Sequence, residues 1–325
     1  MGLAILSVIL FHQMFINGFP FTVLHRYGKW AVDVFMLLSG IGVVQSIRKY
    51  PIAVYYKRRF QRILPACLLC GVCKCLFSYT ILSPTVREAL FAKYLMGWHS
   101  LLSFDLWFIV AIIIYYLLAP LILRALNRWG WFFAAAVWVV CVAIVLLFSE
   151  GNQWPWFTPM GIVVLSAERL PAFVFGMAIA CDPKVARFTI TGVGDSPVWA
   201  RLMAFLAGVC FVAAAVVLSI KSRVAGASPV YDRMVLLVLS FGVPSMVSLV
   251  IWLVMKLPSA LRKPLAIMGQ YSLELYLTHE FVFTTLWLTF NARCSWTALF
   301  AVAFVVTALA AFGCKWVTSR LVRQR

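Results

Sequence analysis

Apolar residues in this chain come in long runs rather than in alternation with polar ones. The runs cover about 2–18, 29–47, 63–82, 104–123, 131–149, 160–181, 199–219, 234–255, 264–288 and 296–318, with short polar loops between them. Each is near the ~20 residues a helix needs to cross a hydrocarbon core of about 30 Å. Lipid offers the backbone no hydrogen bonds, so runs without strand-like alternation predict helices rather than barrel strands. The pattern predicts an all-α fold: a polytopic transmembrane helical bundle of about ten spans, in one membrane domain over residues 1–325. The segment 86–101 (VREALFAKYLMGWHSL) is too short and too polar to span and is placed at the interface or as a re-entrant piece. The Trp- and Pro-rich loop GNQWPWFTP (151–159) has the character of an interfacial belt.

Composition narrows the class. At 64% hydrophobic and 12% charged residues, the chain is not a soluble globular domain. A net charge of +18 points toward nucleic acid in a polar protein, but in a chain this apolar basic residues set topology and meet anionic lipid. With the N-terminus inside, 18 basic residues fall in inner loops and 8 in outer ones (Arg26, Lys29, Arg87, Lys93, Lys221, Arg223, Arg233 and Arg293). The bias predicts an integral protein of the cytoplasmic (inner) membrane with both termini inside, in contact with membrane lipids and not with nucleic acid.

Nine cysteines include the run Cys67, Cys70, Cys73 and Cys75, spaced C-x2-C-x2-C-x-C. In water that spacing raises a metal cluster. Here it lies in an apolar span where a thiolate cage lacks charge compensation, so these cysteines are read as small packing side chains and no metal is expected.

Ionisable groups inside the spans carry more information, because burying each costs a few kcal/mol. They are His12, Asp33, Lys74, Glu168 with Arg169, Glu274, and His279 with Glu280. Glu168 and Arg169 can pair with each other or with other helices. Lys74 and Glu280 can snorkel to an interface. His279 reads either as a helix-contact histidine or, like Glu168, as a group that meets the acceptor substrate. His12 stands in a helix that is otherwise almost wholly apolar. The loop after the second span brings Lys57, Arg58, Arg59 and Arg62 together at the membrane surface.

The runs GLAILSVILFH, VDVFMLLSG and YYKRRFQRILPA resemble the N-terminal signature of the acyltransferase family 3 membrane proteins. DLWFIVAIIIYYLLAPL (105–121), ERLPAFVFGMAIA (168–180) and GQYSLELYLTH (269–279) resemble later stretches of the same family, in the expected order. The resemblance implies transfer of an acyl group, commonly acetyl, from a cytosolic acyl-CoA to a hydroxyl of a surface polysaccharide, a lipid-linked sugar or peptidoglycan. It implies His12 as the base that takes the hydroxyl proton, or as the carrier of an acyl-histidine. Asp33 then either orients the imidazole or pairs with a basic neighbour. Arg59 and Arg62, three apart on one helix face, are expected to grip the CoA phosphates. Ser39 is a candidate donor to the reacting oxygen. The family pattern places a cation eleven residues before its histidine, about 16 Å along a helix, where this chain has Met1. The expectation is a start upstream of Met1. The competing class is a transporter or flippase for a lipid-linked or acylated solute, although the chain shows no inverted repeat.

Overall fold

The computed structural model describes residues 1–12, 24–85, 107–149, 159–182, 209, 237, 240–290 and 295–323. Among these residues every regular element is helical. The helices are α1 (Gly2–His12), α2 (Leu24–Lys49), α3 (Ile52–Thr80), α4 (Trp107–Ser149), α5 (Pro159–Cys181), α6 (Val243–Lys256), α7 (Ser259–Gln270), α8 (Ser272–Phe290) and α9 (Trp296–Arg323), with a 3-10 turn at Ser240–Gly242. Among the described residues five stretches are long and apolar enough to cross a membrane: Ala31–Lys49, Ile52–Thr80, Trp107–Phe148, Val163–Cys181 and Thr297–Val322. The chain is thus an integral, helical membrane protein. The interfacial segment 86–101, nearly all of the loop 151–159 and nearly all of the predicted span 199–219 lie outside the described residues.

Two predicted boundaries change. The basic segment and the third span are one helix, α3, which carries Pro65 within it. The stretch expected to span at 264–288 is two helices that meet at Tyr271. The first, α7, begins with the polar SALRKP and buries none of its residues, whereas α8 buries nine. An average over the whole run hides this change from an amphipathic to an embedded helix. In the predicted span 234–255, α6 begins at Val243 after the 3-10 turn, and residues 234–236, 238 and 239 lie outside the described residues. The long α4 run breaks at Gly130 (φ 55°, ψ −137°), between the predicted spans 104–123 and 131–149. That conformation excludes side chains with a Cβ, and only glycine adopts it readily.

The chain divides into two compact units, one of Met1–Ala31, Tyr56–Val110 and Lys263–Arg325, the other of Val32–Tyr55 and Ala111–Arg262. In the second unit α2 and α5 run parallel at backbone contact. A Cβ on Gly40 would overlap the Phe173 carbonyl, and one on Gly176 would overlap the Leu37 carbonyl. Small residues permit this approach, which is how membrane helices gain packing where lipid supplies no hydrophobic drive. Tyr115 on α4 donates its hydroxyl to the Ser166 carbonyl of α5, and Tyr55 donates to the Tyr116 carbonyl at 3.0 Å. Cys141, Val145, Val164, Ala167 and Leu237 form a buried cluster.

In the first unit α1 lies parallel to α7 and α8. Gly2 meets Leu265 and Gly269, and ten residues further on His12 meets His279. Helix α9 runs antiparallel to α8, stacking Phe312 on Tyr271 and Phe300 against Phe283. Helix α3 completes the unit through Phe77 against Phe281 and through Cys70, whose Sγ lies 3.4 Å from that of Cys314.

Gly40→Ala should therefore force α2 from α5 and destabilise the protein by about 1–3 kcal/mol. Gly313→Ala, where an added Cβ meets nothing within 4 Å, should be neutral or slightly stabilising. Unfolding midpoints of the detergent-solubilised variants check both. Equal midpoints would show that the glycine contact is not close.

Candidate active site

The first unit gathers three ionisable side chains where α1 ends. His12 closes α1, and His279 and Glu280 stand on α8 beside it. The two imidazoles are 4.8 Å apart between ring centroids and inclined at 66°. His279 is 1% exposed. Its Nδ1 lies 3.0 Å from the Leu275 carbonyl oxygen and 2.8 Å from that of Tyr276.

Those contacts assign the protons. Carbonyl oxygens only accept, so His279 Nδ1 carries hydrogen and donates to them. His279 Nε2 then holds a lone pair, 3.1 Å from His12 Nδ1. That same His12 nitrogen is 2.9 Å from the Val8 carbonyl oxygen. Facing two acceptors, His12 Nδ1 must be the donor, because a lone pair there would oppose both. The free lone pair of neutral His12 is therefore on Nε2. Glu280 Oε2 lies 3.8 Å from that atom, within reach of an imidazolium but beyond a hydrogen bond. His12 keeps 14% of its side chain exposed, so the site is not sealed. An imidazole with a fixed lone pair and a carboxylate beside that nitrogen can take a proton from a hydroxyl and hold the resulting charge.

A second cluster lies one and a half turns nearer the start of α8. Arg62 on α3 grips the fully buried carboxylate of Glu274 with both ends of its guanidinium, Nη1 to Oε1 and Nη2 to Oε2, the latter at 3.1 Å. The guanidinium side chain is 46% exposed. Among the described residues, two of its five N–H donors serve Glu274. Arg59, one turn earlier on α3, is half-buried.

The remaining sequence candidates belong to the second unit. Asp33 is 2% exposed and receives a 2.7 Å hydrogen bond from Arg169 Nη1. Of the two roles open to it, pairing with a basic neighbour is the one seen. Arg169 thus pairs across helices and not with Glu168, which is buried beside it on α5. Ser39 is half-buried on α2, next to Gly40. Two expectations about snorkelling change. Lys74 is 8% exposed, with Nζ 5.7 Å over the Phe281 ring, and Glu280 is 9% exposed at the histidine pair. Both stay inside because aromatic and charged partners wait there. In the cysteine run Cys67 and Cys70 are buried, Cys75 is half-buried and Cys73 is exposed.

Sequence reasoning marks Glu274 and Glu280 as charges within spans and gives neither a place in the site. The available signal was chemical. A carboxylate inside a span needs a basic partner, and Arg62 and His12 are basic candidates in the sequence.

A helical membrane protein with a basic histidine in its first helix and exposed arginines on its third has the parts of a membrane acyltransferase. A family model described as an acyltransferase domain matches residues 2–318, nearly the whole chain. The chain belongs to acyltransferase family 3. No curated protein and no solved structure matches it.

Arg62→Ala should destabilise the first unit strongly, because it strands the Glu274 carboxylate in a buried position, an effect of about 3–5 kcal/mol for fully buried pairs and less for a half-exposed partner. Adding Glu274→Gln should recover most of the loss. The unfolding midpoints of the single and double variants check this. A double variant no more stable than the single one would mean that Arg62 stabilises by packing alone.

Proposed function

We propose that the protein transfers an acyl group, acetyl in the first instance, from cytosolic acyl-CoA to a hydroxyl of a surface polysaccharide, a lipid-linked sugar or a related glycan. The chain would sit in the cytoplasmic membrane with both termini inside. The observation that carries the reading is the open lone pair on His12 Nε2, fixed by His279. In this mechanism the acceptor hydroxyl gives its proton to Nε2 as its oxygen attacks the thioester carbonyl. The tetrahedral intermediate collapses, the C–S bond breaks, and the proton passes from the imidazolium to the departing CoA thiolate. An ester and free CoA result. Glu280 steadies the transient imidazolium. Arg59 and the outward N–H groups of Arg62 hold the CoA phosphates, with Glu274 keeping the Arg62 fork in place.

The test uses membranes containing the protein, radiolabelled acetyl-CoA and candidate glycan fractions. His12→Ala should lose about 10²–10⁴-fold in transfer, the usual contribution of a positioned base, at unchanged abundance. Arg59→Ala should weaken the apparent donor constant roughly tenfold or more and leave that of the acceptor in place. Arg58→Ala, which removes the same charge from the same helix, serves as the control. Normal turnover in His12→Ala would remove the histidine from the mechanism. Equal effects of the two arginine changes would reduce the cluster to a topological anchor.

A further inference from the structure

Two thiols of the first unit touch across helices that are 244 positions apart in the chain: the sulfurs of Cys70 on α3 and Cys314 on α9 are 3.4 Å from each other. Both residues are buried, at 6% and 7% exposure. Cys314 Sγ also lies 4.0 Å from the Ala66 carbonyl oxygen, so it faces α3 and not lipid. As a hydrogen bond the contact is weak, since a thiol is a poor donor and a poor acceptor. A covalent bond needs the sulfurs at about 2.0 Å, a closure that side-chain rotation and a small shift of the helices can supply. Cys70 and Cys314 both line an apolar cleft of about 400 Å³ between α3, α8 and α9. Beside Cys314 that cleft is open: a Cβ built on Gly313, which also lines it, meets nothing within 4 Å among the described residues. The pair is thus shielded from bulk water yet within reach of a small neutral molecule.

We propose that Cys70 and Cys314 form a redox-sensitive clamp, in which a peroxide entering the cleft converts the two thiols into a disulfide that ties α3 to α9. One sulfur attacks a peroxide oxygen, the O–O bond breaks, and water departs to leave a sulfenic acid. The second sulfur displaces the sulfenic oxygen, the S–S bond forms, and a second water leaves. The two thiols give up two electrons and two protons, and hydrogen peroxide becomes two waters. Placement favours the second step, because the partner sulfur is already in contact. Cys73 lines the same cleft and is exposed, so access alone would favour it, whereas position favours Cys70. Glutathione and thioredoxin keep cytosolic thiols reduced, but they are polar and do not enter an apolar cleft inside a bilayer, so the bond persists once made. Its place gives it a consequence. Helix α3 carries Arg62 eight residues before Cys70, about 12 Å along the helix, and α9 packs along α8, which carries Glu274. Closing the clamp stiffens the frame around that ion pair.

The experiment reads a covalent bond and not turnover, so its outcome is independent of the acyl-transfer reading. The full chain in phosphatidylcholine nanodiscs is treated with hydrogen peroxide, the remaining thiols are blocked with N-ethylmaleimide, and unreduced peptides are mapped by mass spectrometry. Peptides joined through Cys70 and Cys314 should exceed those joined through Cys73 by roughly tenfold or more, the advantage of a partner already in place. Dithiothreitol, a small neutral dithiol, should release them. The oxidised protein should unfold at a higher temperature than the reduced one, and the difference should vanish in Cys70→Ser but persist in Cys73→Ser. Should Cys70→Ser fail to fold, the peptide map and the unfolding midpoints of the unaltered protein, oxidised and reduced, decide. Sulfinic or sulfonic acid at Cys70 without the bond, a bond through Cys73 in its place, or an unfolding midpoint unmoved by the bond would overturn the proposal.

Discussion

A polar group inside a bilayer must find its partner within the protein, because lipid offers none. That constraint orders this structure. Asp33 meets Arg169, Glu274 meets Arg62, and His12 meets His279. Each contact joins helices distant in sequence and fixes their relative height. The contacts differ in what they leave over. Asp33 and Arg169 are almost fully buried, and their pairing holds α2 to α5 above the crossing where Gly40 and Gly176 let the backbones touch. Among the described residues the other two pairs leave valence over: N–H groups on the half-exposed Arg62 side chain and a lone pair on His12.

That residual valence is where the chemistry of an acyltransferase can reside. An imidazole free to choose its tautomer presents a base at either nitrogen. Here the carbonyl oxygens of Leu275 and Tyr276 fix the proton of His279, and His279 with Val8 then fixes that of His12. The orientation is relayed from a backbone turn through one ring to the next, without a carboxylate on Nδ1. Glu280 lies on the reacting side instead, where a positive charge appears only after proton transfer. A group placed in that way favours the charged intermediate over the resting state.

Much of this was legible in the sequence. Run length and the absence of alternation gave the helical membrane class, and His12, Arg59, Arg62 and His279 stood out as charges or near-charges in apolar surroundings. Pairing was not legible. Nothing in the order of residues says that Glu274 faces Arg62 across more than two hundred positions, or that Asp33 turns to Arg169. The division of residues 259–290 into an exposed and an embedded helix was hidden for a different reason: an average over the run blends the polar start of α7 with the apolar α8, and the burial of their residues separates the two. Snorkelling of Lys74 is the ordinary expectation for a long side chain in lipid, and here the side chain is instead buried with its Nζ over the Phe281 ring.

The central claim, that His12 carries its proton on Nδ1 and its lone pair on Nε2 because His279 requires it, is open to direct measurement. Nitrogen-15 solid-state NMR of the protein in bilayers, with labelled histidine and His12 assigned by difference from His12→Gln, reports the tautomer of each ring. The account predicts a protonated Nδ1 and a bare Nε2 on His12 at neutral pH, and a mixture of tautomers once His279→Ala removes the acceptor. A His12 ring protonated at Nε2 and bare at Nδ1, or one whose tautomer is unmoved by His279→Ala, would contradict it.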